Sequence, residues 1–457
     1  MEKYLSLRNQ YSEFIYNSFE IKEKENEIEI IYNFEIVGLT VFTPKWIFRK
    51  PQGFTINEGN EKLIENLVFN LGMVEAVSYF KCVCPKVFKV RAGYIDESQI
   101  KWWKKLYING LGEFFYVNNL LEAMNIDTFM DIKVKSNYKH EKVIMDNVIK
   151  GNLIPIGGGK DSLVTLDLLK DFKKDNVCYI VNARGATKES AKVSGYEETG
   201  VYEAKRFLDK KLLELNAQGF LNGHTPFSAV LAFSSYITAV MLNKRYIILS
   251  NESSANEGNV KGTNINHQYS KSIEFEKDFK EYIENYICNN GPEYFSILRP
   301  LSEWQIVNSF SKLKEFFPVF KSCNVGSKED VWCENCPKCL YVYIMMKAFL
   351  TDKEMKIIFK SEMLNEEKHR KLFNGLVYPD DNKPFECVGT KEEINLAVKK
   401  IITDCIKKDK KVPLLLQNYG KIENDINLEI KQANASWDND IFIPEKYIKI
   451  IKEYIGG

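Results

Sequence analysis

Neither sign of charge is in excess in this chain: 63 Lys and Arg stand against 62 Asp and Glu over 457 residues, a formal net charge of +1. Without a global basic field, nothing marks the protein as a binder of nucleic acid. The local runs Lys407-Lys408-Asp409-Lys410-Lys411 and Lys170-Asp171-Phe172-Lys173-Lys174 read as solvated helix ends. A long apolar run is also missing. The longest stretch, Phe227 to Leu242, is interrupted by Ser228, Ser234, Ser235 and Thr238, which is short and polar for a membrane span and fits a helix packed on a sheet. The N-terminus, Met1-Glu2-Lys3-Tyr4, has no signal-peptide pattern. These absences point to a soluble cytoplasmic protein with no membrane or nucleic-acid partner, whose ten cysteines are mostly reduced. Internal repeats and low-complexity linkers are lacking too. Histidine is scarce, with only His140, His224, His267 and His369. His224, in the turn Leu221-Asn222-Gly223-His224-Thr225-Pro226, and His267, in a polar loop, are candidates for moving protons near neutral pH; a lone histidine is more often a structural hydrogen bonder.

What is present centres on Ile156-Gly157-Gly158-Gly159-Lys160-Asp161-Ser162. A short apolar run, Leu153 to Ile156, precedes it as a buried parallel strand, and residues 163–169 follow with helical spacing. Strand, glycine turn and helix N-terminus present backbone N–H groups and the positive end of a helix dipole to phosphate. Gly157, Gly158 and Gly159 let a polyphosphate approach the backbone, Lys160 adds a point charge, and Ser162 lies in the first helical turn. A Walker A loop needs adjacent Lys and Ser/Thr, and Asp161 intervenes. The dinucleotide fingerprint lacks its third glycine. The match is to Ser-Gly-Gly-x-Asp-Ser, the pyrophosphate loop of enzymes that split ATP between its α- and β-phosphates, with Gly157 in place of the leading Ser.

Three parts are expected: an N-terminal α+β domain over 1–135, a doubly wound parallel α/β domain over 136–350, and a mainly helical region over 351–457. Within the first part, Glu27 to Val37 and Lys86 to Arg91 read as strands and Leu63 to Tyr79 as a helix. The aromatic segment from Trp102 to Tyr116 is either a packed helix and turn or a cover for a site. Middle strands are expected at Leu153–Ile156, Val177–Asn182, Tyr246–Ser250 and Ser296–Leu298. Ligands gather at the carboxyl ends of such strands, so Asn182 and Asn251 join the candidates. The polar loop that follows contains Glu252 and Glu257, which with Asp161 suit magnesium, a cation that takes one or two carboxylates plus phosphate oxygens. Cys323, Cys333, Cys336 and Cys339 form C-x9-C-x2-C-x2-C, a tetrahedral zinc pattern, with an iron–sulfur cluster or an ion-free cluster as alternatives. Cys387 precedes the capping box Thr390-x-x-Glu393, a place for an activated thiol or for a buried linker cysteine.

Taken in order, Trp102-Trp103-Lys104-Lys105-Leu106, the glycine loop, Asn222-Gly223-His224, Asn251-Glu252, Ser254 to Asn259, Asn266-His267-Gln268, Arg299-Pro300-Leu301, Cys333 to Cys339 and Lys383 to Gly389 resemble the bacterial UDP-N-acetylmuramoyl-L-alanyl-L-glutamate epimerases of the MurL type. The resemblance spans about residues 100 to 390. It implies a sheet of the pyrophosphate-loop type and an enzyme of peptidoglycan synthesis. Such an enzyme uses ATP and magnesium to turn the terminal L-glutamate of a UDP-linked muramoyl dipeptide into D-glutamate, releasing AMP and pyrophosphate. On this reading Gly157, Gly158, Gly159, Lys160 and Ser162 hold pyrophosphate, Asp161 with Glu252 or Glu257 manages magnesium, and backbone near Asn182 receives adenine. Cys387, His224, His267 and the loop acids are the candidates for proton transfer. The same loop and cysteine set also occur in 7-cyano-7-deazaguanine synthases and tRNA thiolases, and a non-catalytic ATP sensor would need the loop alone.

Overall fold

The computed structural model describes residues 1–146, 148–256, 269–379, 384, 386, 388–420 and 425–456. Its strands are β1 (Glu13–Glu23), β2 (Glu27–Ile36), β3 (Thr40–Phe42), β4 (Lys45–Arg49), β5 (Val87–Val90), β6 (Asp131–Val134), β7 (Val143–Ile144), β8 (Asn152–Pro155), β9 (Asn176–Val181), β10 (Val201–Phe207), β11 (Tyr246–Leu249), β12 (Cys288–Asn289) and β13 (Glu293–Ser296). Eleven of them form one mostly parallel sheet in the order β13-β11-β8-β9-β10-β4-β2-β1-β5-β6, with β3 beside β2. β7 and β12 pair separately.

Side-chain pattern explains where each strand sits. In β2, Ile28, Ile30, Tyr32, Phe34 and Ile36 are buried and alternate with half-buried Glu27, Glu29, Ile31, Asn33 and Glu35, the period of a sheet whose two faces differ. All four residues of β8 are buried, as a parallel strand covered on both faces requires. Leu153 enters one core, shared with helices Glu61–Glu75, Glu97–Gly110, Phe227–Met241 and Ile273–Tyr286. Ile154 enters the other, with helices Lys160–Leu168, Glu303–Phe310, Pro337–Lys347 and Lys391–Lys407.

The strands β13, β11, β8, β9 and β10 run parallel. The chain builds outward from β8 through β9 to β10, then returns to the other side of β8 for β11 and β13. In open parallel sheets ligands gather at such a reversal, which here falls at the carboxyl ends of β8 and β11. On the far side, β10 pairs antiparallel with β4, so one sheet continues from the N-terminal segment into the middle of the chain.

Expected elements and observed ones agree closely, with informative differences. The helix expected over Leu63–Tyr79 is Glu61–Glu75 followed by Val77–Phe80. The fourth middle strand ends at Ser296 instead of beginning there. Strand β10 was not expected: charged Glu203, Lys205 and Arg206 interrupt its apolar residues and only Ala204 is buried, so neither apolar run nor alternation marks it. The aromatic segment is chiefly packing, since Trp103, Tyr107, Phe114 and Phe115 are buried and Trp103 Nε1 donates to Tyr282 Oη at 3.1 Å. The C-terminal helices close the second core, where Tyr447 and Ile451 are buried and Tyr454 Oη donates to Asp167 Oδ2 at 2.8 Å. Among the described residues no helix is long and apolar enough to cross a membrane.

A buried ion pair joins the two halves of the sheet to the helix above it. Arg206 of β10 binds Glu75 through Nε at 2.8 Å and Nη2 at 2.9 Å, and Trp46 Nε1 donates to the same carboxylate at 3.2 Å. Glu75→Ala strands the guanidinium in the core and is expected to cost about 3–5 kcal/mol in urea denaturation. An unchanged midpoint would show that water reaches the arginine.

Candidate active site

Three glycines carry the chain from β8 into the helix Lys160–Leu168. Gly158 has φ +77, and a Cβ there would lie 3.0 Å from the Ala186 carbonyl carbon and 3.1 Å from the Thr187 nitrogen. A side chain is therefore excluded both by conformation and by the helix Gly185–Val193. Around Gly157 a Cβ would meet nothing within 4 Å, so the turn is open on that side. Ser162 Oγ donates to the Gly159 carbonyl at 2.9 Å. The loop is held from behind through its carbonyls: Lys321 N donates to Gly158 O at 2.9 Å and Arg184 Nη2 to Gly157 O at 3.2 Å.

Immediately after the glycines, Lys160 is only 1% exposed and ion-paired with Asp161 and, at 2.6 Å, with Glu303 Oε2. Burial alone would lower its pKa, but Asp161, Glu303 and Glu252 outweigh burial and raise it, so the ammonium keeps its proton. Burial would raise the Asp161 carboxyl, yet Lys160 and then Lys338 hold it below the ordinary carboxylate range. Glu303 is pushed up to about 7, first by burial and then by Asp161 and Glu252, against the pull of Lys160. Asp161, Glu252 and Glu303 can each bring one oxygen within 4.8 Å of the others. They follow β8, β11 and β13, three neighbours in the sheet, at their carboxyl ends. Hard oxygen donors in this arrangement, with Asp161 29% exposed, fit a magnesium ion that also binds phosphate oxygens.

The side chains of Asn182 and Asn251, two of the expected cofactor-binding positions, bind neighbouring strands. Asn182, at φ +51, accepts from Arg206 N at 2.7 Å and donates to Arg206 O at 3.1 Å, tying β9 to β10. Asn251 Nδ2 donates to Ser296 Oγ at 2.9 Å, tying β11 to β13. Glu252 is fixed by Ser254 Oγ at 3.1 Å and through its carbonyl by Arg299 Nη1 at 2.7 Å. Arg299 is itself buried and ion-paired with Glu276.

The four cysteines expected together do converge, their sulfurs within 4.8 Å of one another. Cys333 and Cys336 lie 3.7 and 3.4 Å from Cys339, near the ~3.8 Å separation that Zn–S bonds of about 2.3 Å produce in a tetrahedron. Backbone N–H groups of Gly326 and Cys339 point at Cys323 and Cys336 sulfurs, at 3.1 and 3.4 Å. Hydrogen bonding from Cys339 brings the Cys336 thiol down to about 5 in spite of burial. The segment that carries these cysteines also straps the glycine loop: besides Lys321, a Gly159 Cβ would lie 2.8 Å from Ser322 Oγ, Arg184 Nη1 donates to Ser327 O at 3.2 Å, and Ala186 N donates to Asp330 Oδ1 at 3.2 Å. Its helix Pro337–Lys347 brings Lys338 to the acids.

His224 is not among the groups that ring Lys160; its Nδ1 faces Glu113 at 3.9 Å. Glu257, His267 and Cys387 lie outside the described residues. The reading of the residues missed Glu303 and Lys338. Glu303 is the first acid after the fourth middle strand, and Lys338 lies inside the cysteine motif, so strand-end position and motif membership were the signals to follow.

With this geometry in view, two family models match the chain: the MurL N-terminal domain over residues 6–297 and the MurL C-terminal domain over 319–427. The chain belongs to the MurL family. A curated relative from a Micromonospora strain is 32% identical over 334 residues, covering 72% of this chain and 73% of the relative. One from Salinispora tropica is 31% identical over 334 residues, covering 72% and 71%. One from Xanthomonas oryzae pv. oryzae is 30% identical over 353 residues, covering 76% of each. All three are named UDP-N-acetyl-alpha-D-muramoyl-L-alanyl-L-glutamate epimerase. No solved structure matches the chain. The two MurL models together include the glycine loop, Asp161, Glu252 and the cysteine set; Glu303 falls in the interval between them.

Glu303 supplies a test of the electrostatics. Because its folded pKa is raised, the native state loses stability as pH climbs from the ordinary value of 4.5 to about 7. Glu303→Gln removes that loss. In chelator-containing buffer its Tm relative to wild type should therefore be higher at pH 8 than at pH 5. An equal difference at both pH values would contradict the assigned environment.

Proposed function

We propose that this MurL-family protein is an ATP-dependent epimerase that converts the terminal L-glutamate of UDP-N-acetylmuramoyl-L-alanyl-L-glutamate to D-glutamate through an acyl-adenylate, in cytoplasmic peptidoglycan synthesis. The observation that carries the reading is the glycine loop with Lys160 set among Asp161, Glu252 and Glu303 at the carboxyl ends of adjacent parallel strands. A site so arranged suits a pyrophosphate-loop enzyme, and the names of the relatives supply the substrate class.

The chemistry makes sense of a phosphate loop in an epimerase. A carboxylate resists losing its α-proton, because the carbanion would place a second negative charge beside the first. Attack of a carboxylate oxygen on the α-phosphorus of ATP, with the bond to the β-phosphate breaking and pyrophosphate leaving, forms a mixed anhydride with AMP that removes that first charge and lets the electron pair spread onto the acyl oxygen. Magnesium supplies charge neutralisation at the phosphates. Asp161, Glu252 and Glu303 would hold it, while the loop amides, Lys160 and Ser162 bind the departing pyrophosphate. As the phosphates arrive, Lys160 exchanges carboxylate partners for phosphate oxygens. Lys338 adds a cation on the cysteine side. The four cysteines hold a structural zinc in this reading, and the strap they pin keeps Lys321, Arg184 and Lys338 in place around the loop.

Purified protein incubated with ATP, magnesium and the UDP-linked dipeptide should yield AMP, pyrophosphate and D-glutamate on chiral analysis. Lys160→Ala and Asp161→Asn are each expected to lower turnover by about 10²–10³-fold, the scale for loss of a preorganised electrostatic group. Full turnover in either variant would overturn the site assignment.

The zinc assignment has its own readout. Elemental analysis should find one zinc per chain, lost with Cys336→Ser, together with a lowered Tm and weaker ATP binding. Iron in the purified protein, or a Cys336→Ser protein with an unchanged Tm, would refute it.

A further inference from the structure

The helix Gly185–Val193 serves two places at once. Its first turn meets the glycine loop, where a Gly158 Cβ would lie 3.1 Å from the Thr187 nitrogen. Its flank, through Lys188, Ala191 and Lys192, forms one wall of a cavity of about 1310 Å³. The floor is a face of the sheet: Glu203 and Lys205 of β10 are two residues apart and share it, and Arg49 of β4 pairs with Glu27 of β2 beside them. The volume exceeds the roughly 300–1,000 Å³ of a pocket for a drug-sized molecule, so this groove has room for an elongated ligand.

Charge along the groove is sorted by position. Ala204 of β10 pairs with Val181, the last residue of the parallel strand β9, so Lys205 lies at the carboxyl edge of the sheet, as the glycine loop does. Lys188 and Lys192 stand about 3 and 9 Å along their helix from Ala186. None of these three lysines has an ion-pair partner among the described residues. At the opposite end, Glu197 and Glu198 precede β10, and Glu25 lies in the turn between β1 and β2. Arg49 closes that end: Nη1 donates to the carbonyls of Glu198 at 2.8 Å and Val201 at 3.0 Å, and the guanidinium lies 5.0 Å from the centre of the Tyr202 ring. The groove is also tied to the loop through Glu203, whose Oε1 accepts from Ala183 N at 3.3 Å, while the next residue, Arg184, donates to the Gly157 carbonyl at 3.2 Å.

We propose that this groove binds the uridine diphosphate end of the substrate, with Lys188, Lys192 and Lys205 on the two phosphates and with Tyr202 and the far carboxylates on uridine. The inference rests on the epimerase reading, which requires the glutamate end at the glycine loop. From there an extended dipeptide spans about 7 Å, and the sugar with its lactyl ether continues to the diphosphate. The order of groups along the ligand therefore matches the order along the groove: lysines first, carboxylates and an aromatic ring beyond. Ammonium groups without carboxylate partners are free for phosphate oxygens, carboxylates accept from ribose hydroxyls, and a tyrosine ring stacks on a base. Lys160, buried among its acids, is left to the triphosphate, so the two nucleotides use separate cations.

Calorimetry on the full chain with UDP as the probe tests the site without turnover. Wild type should bind UDP at one saturable site, and neither a non-hydrolysable ATP analogue nor Lys160→Ala should change that binding. Lys188→Gln combined with Lys205→Gln should weaken UDP by about 100-fold, near tenfold for each charge-assisted contact, while melting and affinity for the ATP analogue stay at wild type. Tyr202→Ala should weaken both UDP and free uridine, whereas the lysine pair should weaken UDP alone. In the epimerase assay the lysine pair should raise KM for the UDP-linked dipeptide and not for ATP. Wild-type UDP affinity in the lysine pair would overturn the proposal, as would displacement of UDP by the ATP analogue, or turnover of the dipeptide by a wild type that does not bind UDP. A wild type that bound UDP through these lysines but formed neither AMP nor D-glutamate would instead overturn the epimerase reading and leave the groove assigned.

Discussion

An ammonium group almost wholly removed from water organises this protein's site. Lys160 in isolation would shed its proton at that depth, and three carboxylates gathered without it would repel one another. Together they reach a balance that neither sign of charge attains alone. The balance requires side chains from three separate strand ends, so it also constrains topology: β8, β11 and β13 must be neighbours and must point the same way. A buried arrangement of this kind is a poor source of stability compared with apolar packing. Its persistence makes sense where a ligand with opposite and interchangeable charges is expected.

Around that centre, polar contacts act as scaffolding more than as ligands. Asn182 and Asn251 bind neighbouring strand ends, and the Arg299–Glu276 pair holds the backbone of Glu252. The cysteine segment is part of the same scaffold, because its backbone and side chains touch both the glycine turn and the helix behind it. An ion held by the cysteines and an anion held by the loop would thus share one strap. The C-terminal helices complete this side by packing on the same core as the helix that starts at Lys160.

Local signals carried much of the architecture. Glycines, a buried apolar run and a helical period placed the glycine turn between its strand and its helix, because each of these depends on neighbours in sequence. Cysteine spacing predicted the cluster for a similar reason: two-residue intervals keep Cys333, Cys336 and Cys339 together, and a nine-residue segment returns Cys323 to them. β10 escaped notice because its identity comes from pairing with β9 and β4, not from any apolar run or alternation of its own. Glu303 escaped for an analogous reason, being remote from Lys160 along the chain and adjacent only after the sheet forms.

From composition and motif one could know that this chain builds an α/β core, carries a glycine turn between a buried strand and a helix, and gathers four thiols. Those properties reside in short stretches whose backbone preferences and chemistry travel with them. Which acids surround the lysine, which strands the asparagine side chains tie together, and which histidine faces a carboxylate depended on contacts between distant segments. Burial then raised Glu303, and the surrounding acids kept the proton on Lys160 against burial, since both the loss of water and the nearby charges exist only once the fold has enclosed the site.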